Sequence, residues 1–180
     1  MRRAVLDLGH TGLTGGKPPA RAGGLCERRV LWRYGIELAL ELDLAGWVVE
    51  IAGAGTYRSR QLAAHGADVY LALHVNAGWR PEWSPRGALF HTPEASAIAE
   101  ALSVPIADQA GGCRLYDISR TGWAHGPRAL TRWLGGVPGV VVEPGFIDCP
   151  EHAHMWQAGG PVRLGGALGR ALGRSVPVPR

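Results

Sequence analysis

The sequence predicts an α/β domain built on a mostly parallel sheet. Short apolar runs alternate with segments of helical period along the 180 residues, and 27 glycines punctuate the changes between them. The run Val69–Val75 is continuously apolar except for His74, the pattern of a strand covered on both faces.

The elements follow in order. Ala4–Leu8 reads as a short buried strand, and Gly12–Gly24 is a Gly/Pro-rich loop too broken for regular structure. From Glu27 to Leu44, Leu31, Tyr34, Leu38 and Leu42 recur with a helical period. Trp47–Ala52 is the next strand, Arg58–His65 a short helix and Val69–Val75 the third strand. Gly87–His91 is a further strand and Ala95–Gln109 a helix. An irregular stretch follows, then a helix over Pro127–Leu134 and a strand over Val137–Val142. Pro161–Gly173 forms a last helix weakened by its glycines. No internal repeat or second domain is visible, so residues 1–180 are expected to form one domain.

Composition narrows the function classes. A hydrophobic fraction of 46% with 19% charged residues is that of an ordinary globular protein. No apolar run approaches the roughly 20 residues needed to cross a bilayer, so no stable membrane insertion is expected. Met1-Arg2-Arg3 leads into a strand-like run rather than a signal peptide, and synthesis in the cytoplasm is the expectation. The net charge of +4 rests on arginine, with Lys17 the only lysine. That balance suits an acidic polymer, yet no basic run marks a nucleic-acid arm. Cys26, Cys113 and Cys149 form no C-x-x-C pair and read as buried free thiols. No exposed apolar stripe calls for a partner, and a monomer is expected.

Sites in such sheets form at the carboxyl edge, where strands end and loops begin. His10 follows the first strand, His74 closes the third, Glu143 closes the last, and Glu27 opens the first long helix. Taken singly, a histidine at a strand end also serves as a structural hydrogen-bonder, and a glutamate opening a helix complements its dipole. Together His10, Glu27 and His74 make a two-histidine, one-carboxylate set, which leaves one open position on a tetrahedral Zn²⁺ for water. The ion acidifies that water, and Glu143 is the candidate base that takes its proton and returns it to a leaving amine.

The segments "VLDLGHTG", "GLCERRV", "DVYLALHVNA" and "VVVEPGFIDCPEHAHM" occur in this order with helix-length gaps. Together they resemble the zinc-dependent N-acetylmuramoyl-L-alanine amidases of the family called amidase type 3, from residue 4 to about residue 157. The most specific parts are His74 to Asn76 and Glu143 to Phe146. The resemblance implies that His10, Glu27 and His74 hold one zinc ion per chain and that Glu143 is catalytic. It implies hydrolysis of the amide between N-acetylmuramic acid and L-alanine of peptidoglycan, on a twisted sheet of about six strands flanked by helices.

Several positions depart from the family pattern. Leu8 stands where proline is common and Thr11 where glycine is. Pro144 follows Glu143, and Asp148-Cys149 replaces a serine-asparagine-like pair, with consequences expected for substrate contacts only. Arg58 matches a family arginine, while Leu62-Ala63 replaces alanine-asparagine. Asn76 either orients the site or caps a turn. Trp79, Trp83 and Trp123 either stack on sugar rings or pack their loops. His125 is a candidate to polarise the substrate amide. His152 and His154, two apart, are expected on different helix faces with surface roles. Gly53-Ala54-Gly55 lacks the third glycine of a nucleotide-binding turn.

The reading is a cell-wall lytic enzyme of the phage endolysin type, released to the wall through a holin-type pore. Family members active in cell division often carry an extra helix that plugs the site. Between Ala77 and Gln109 only a loop, a strand and one helix are expected here, so the enzyme is predicted to be ungated. The alternatives are a bacterial autolysin of the same family, a zinc hydrolase acting on another amide, and a non-catalytic peptidoglycan-binding domain.

Overall fold

A computed structural model describes residues 1–9, 21–22, 24–52, 55–82, 85–120, 131–157 and 159–175. The chain runs through β1 (Arg2–Leu8), β2 (Arg21–Ala22), β3 (Leu25–Cys26) and α1 (Glu27–Leu44), then β4 (Trp47–Ala52), α2 (Tyr57–Ala63) and β5 (Val69–Leu73). It continues through β6 (Gly87–His91), α3 (Ser96–Ala110), β7 (Cys113–Asp117), β8 (Gly139–Glu143), α4 (Ala153–Trp156) and α5 (Gly160–Ser175). Six strands make one sheet in the order β4-β1-β5-β8-β6-β7. All neighbours are parallel except β6 and β8, which run antiparallel. The expected mostly parallel sheet of about six strands is present.

The two-residue period of β1 divides the core. Leu6 and Leu8 pack with Leu31, Leu38, Leu102 and Leu168 in a layer built from α1, α3 and α5. Val5 lies with Ala64, Tyr70, Phe90 and Val141 in a smaller cluster beneath α2. Because both faces of β5 and β8 are covered, Val69–Leu73 and Val140–Val142 read as unbroken apolar runs, whereas β1 is interrupted by the buried Asp7.

The glycines of α5 have a packing reason. A β-carbon at Gly165 would strike the Tyr34 carbonyl of α1, and one at Gly169 would lie 3.1 Å from the Leu38 carbonyl. The two glycines, four apart, let α5 settle closely on α1, and the helix runs from 160 to 175 despite its low intrinsic propensity.

Four expectations are corrected. Cys113–Asp117, within the stretch expected to be irregular, is strand β7, whose edge position leaves its residues partly exposed and blurs any alternation. The helix expected over Pro127–Leu134 is not seen in its described part, because residues 131–133 form a turn. There the Trp133 N–H bonds the Gln61 side chain, and Gly135 and Gly136 follow with positive φ. Of the three free thiols only Cys149 is buried, while Cys26 and Cys113 are partly exposed. An exposed apolar stripe does exist: Trp32, Ile36, Leu40 and Leu44 are 41%, 42%, 53% and 84% exposed along α1.

Candidate active site

Two of the expected metal ligands lie side by side at the carboxyl edge of the sheet. Glu27, the first residue of α1, is buried, and its Oε1 stands 3.8 Å from His74 Nδ1. The same oxygen accepts the Val75 N–H at 3.0 Å, which fixes the carboxylate against the residue following the histidine. Two turns further along α1, the buried Tyr34 hydroxyl donates to the His74 carbonyl at 3.2 Å. Helix α1 thus grips the end of β5 at two points.

The main chain just after β1 passes against the same imidazole. The Gly9 N–H donates to the Leu73 carbonyl at 2.9 Å, and a β-carbon at Gly9 would sit 2.6 Å from His74 Nδ1. His10, the next residue, lies outside the described residues, as do Trp83, Trp123 and His125. Among the described residues no cluster of three or more His, Cys, Asp or Glu side chains is arranged to hold a metal ion.

Glu143 closes β8 beside His74, whose N–H donates to the Val142 carbonyl at 2.9 Å. Burial pushes the Glu143 carboxyl above the ordinary glutamate range. Positive charge on His74 opposes this shift and the negative charge of Glu27 adds to it. The Tyr34 hydroxyl is pushed well up by burial, then by Glu27 and Glu143. Glu27, His74, Glu143 and Tyr34 therefore share one electrostatic neighbourhood.

The loop after Glu143 is held from both sides. On one side Asn76 donates to the Gly145 carbonyl at 2.9 Å, and Ile147 donates to the Asn76 carbonyl at 2.8 Å. Asn76 Oδ1 accepts the adjacent Ala77 N–H, the turn-capping role. On the other side the buried His152 corrects the surface role expected of it. Its Nδ1 accepts the Phe146 N–H at 2.9 Å, and Nε2 lies 3.3 Å from the Ala110 carbonyl. A ring that accepts at Nδ1 and faces a carbonyl at Nε2 must be neutral with its proton on Nε2. The Trp156 indole N–H donates to the Phe146 carbonyl at 2.9 Å. His154 is exposed, as expected.

Sequence reasoning missed His152 because it weighed only the two-residue spacing to His154. Met155 and Trp156, three and four residues on and both buried, define the inward face that His152 shares. Asp148, one of the departures from the family pattern, accepts the Gly78 N–H at 2.7 Å and the Trp79 N–H at 3.2 Å. It fastens the loop after His74. Arg58 stacks its guanidinium over Trp133 at 5.0 Å.

No family profile matches the sequence, and no curated protein does. Solved structures share the fold. N-acetylmuramoyl-L-alanine amidase AmiC2 of Nostoc punctiforme is similar with a TM-score of 0.74 and 20% identity, over 95% of this chain and 94% of that one. Cwp6 from Clostridium difficile is similar with a TM-score of 0.79 and 16% identity, over 98% of this chain and 29% of that one. The catalytic domain of the CD27L endolysin, targeting Clostridium difficile, is similar with a TM-score of 0.71 and 15% identity, over 96% and 97% of the two chains.

Proposed function

We propose that this chain is a zinc-dependent N-acetylmuramoyl-L-alanine amidase, with His10, Glu27 and His74 as the metal ligands and Glu143 as the general base. The observation that carries the reading is the buried Glu27–His74 pair, with Glu143 within its electrostatic reach. The donor set fits zinc. Two ligands of a tetrahedral ion, each about 2.0–2.2 Å from it, stand roughly 3.4 Å apart, close to the observed 3.8 Å. The Val75 N–H held by Glu27 Oε1 is the kind of outer hydrogen bond that orients a ligating carboxylate. His10, joined directly to Gly9, supplies the third donor.

Bound zinc would polarise the scissile carbonyl and acidify a water molecule. Glu143 would take a proton on a carboxylate oxygen from the water whose oxygen bonds to the carbonyl carbon, and deliver it to the L-alanine nitrogen as the C–N bond breaks. Its raised proton affinity suits both halves of the transfer, since a base that binds its proton too weakly cannot accept it near neutral pH. The braces from Asn76, His152 and Trp156 hold the main chain behind Glu143, so the carboxylate is aimed before substrate arrives.

The substrate class follows that of the N-acetylmuramoyl-L-alanine amidases whose fold this chain shares. The likeness to an endolysin catalytic domain over nearly the full length favours action on the cell wall as a lytic enzyme. The deciding experiment is digestion of purified peptidoglycan with and without chelator. The reading expects new L-alanine amino termini that vanish on chelation and return with zinc. Release of reducing sugar ends, or turnover indifferent to chelation, would overturn it.

A further inference from the structure

Helix α1 has two apolar faces. Val30, Leu31, Tyr34, Leu38 and Leu42 are buried against the sheet and α5. On the opposite side Trp32, Ile36, Leu40 and Leu44 follow one another at intervals of four, a continuous ridge about 18 Å long at 1.5 Å per residue. All four are at least two-fifths exposed, and Leu44 is 84% exposed. Single exposed leucines need no explanation, but an unbroken ridge on an outer helix face is the mark of a contact surface.

The charges flanking the ridge identify what it fits. Arg28, Arg29 and Arg33 lie in the N-terminal half of the helix, and Glu37, Glu41 and Asp43 in the C-terminal half. Glu41 is bound to Arg170 of α5. Arg28, Arg29, Arg33 and Asp43 are exposed, and none has an ion-pair partner among the described residues. A helix that is basic at one end and acidic at the other complements itself when turned end for end.

We propose that two copies of this chain associate through the outer face of α1, antiparallel about a two-fold axis that passes near Leu38. In that register Trp32 meets Leu44 of the second copy, Ile36 meets Leu40, and Arg33 meets Asp43. Each contact occurs twice, as an isologous interface requires. The ridge supplies the apolar centre and the Arg33–Asp43 pairs the polar rim. An anionic membrane surface is a poorer occupant, because Asp43 and Glu37 border the same ridge that the arginines do. Glu27 sits at the N-terminus of α1 on its buried side. Reversal of the helix therefore points the two catalytic rims in opposite directions and leaves both open.

Sedimentation velocity of the full chain over a concentration series tests this. The wild type is expected to shift from monomer to dimer, and Leu40→Arg to remain monomeric. Arg33→Asp and Asp43→Arg should each weaken association about tenfold or more, with the double reversal restoring it. Far-UV circular dichroism keeps loss of fold separate from loss of contact. Three results would overturn the proposal. One is a wild type monomeric up to about 0.1 mM, a concentration that even a modest interface would populate. The others are association indifferent to the α1 substitutions, and co-sedimentation with anionic vesicles in place of self-association.

Discussion

Gly9 and the imidazole of His74 occupy space that no side chain at position 9 could share. A β-carbon there would stand 2.6 Å from His74 Nδ1 and 2.7 Å from the Leu73 carbonyl. The glycine preceding His10 is thus a steric necessity for the neighbouring strand, which must carry a histidine ring across the edge of the sheet. Gly9→Ala is expected to push the ring off Glu27, costing about 1–3 kcal/mol of stability. Zinc content by mass spectrometry should fall with it. Full metal loading in the variant would mean that the ring has room to spare.

Glu143→Gln should leave zinc content unchanged and lower turnover by about 10²–10⁴, the usual worth of a positioned base. In the proposed role Glu143 must be ionised to act, and burial raises its proton affinity. The acid limb of the activity profile should therefore lie above the ordinary glutamate value of about 4.3. An acid limb at or below that value would contradict the assignment.

The buried Asp7 carboxylate of β1 accepts from Arg60 Nε at 3.0 Å and from the Tyr70 hydroxyl. Burial and the adjacent Asp7 carboxylate push the Tyr70 phenol far up, so it stays a donor. Removing one member of a buried pair strands the other charge. Arg60→Met is expected to destabilise by about 3–5 kcal/mol in urea unfolding, and Tyr70→Phe by about 1 kcal/mol. Equal small losses in both would mean that water reaches Asp7.

His152 is held neutral in the fold, and burial pulls its proton affinity below the usual histidine range. The unfolded chain takes up a proton near pH 6.5 and the folded chain only at lower pH. Its contribution to stability is complete above that value and is lost as pH falls through the depressed folded one. His152→Asn keeps an acceptor for the Phe146 N–H but cannot titrate. Urea midpoints at pH 5 and pH 7.5 should therefore lie closer together in the variant than in the wild type. An unchanged difference would place the acid sensitivity elsewhere.

Where burial and period agree, the sequence was legible. The bounds of α1, β4 and β6 follow their apolar patterns to the residue. The pairing of Glu27 with His74 follows from strand ends meeting at one edge. Strand β7 was not legible, because an edge strand with partly exposed residues carries no clean alternation. The apolar ridge of α1 was hidden by a different cause. Its residues interleave with those of the buried face, and a helix apolar on two sides reads simply as a helix.

The reversal of β6 relative to β8 has a consequence for how this architecture can vary. The link from His74 to Gly87 leaves and re-enters the sheet at the same rim, and Asp148 pins its first turn. Segments added to this link would lie at the rim that carries Glu27, His74 and Glu143 while every strand kept its neighbours. Shields, specificity arms or tethers can thus be gained and shed there without renegotiating the core.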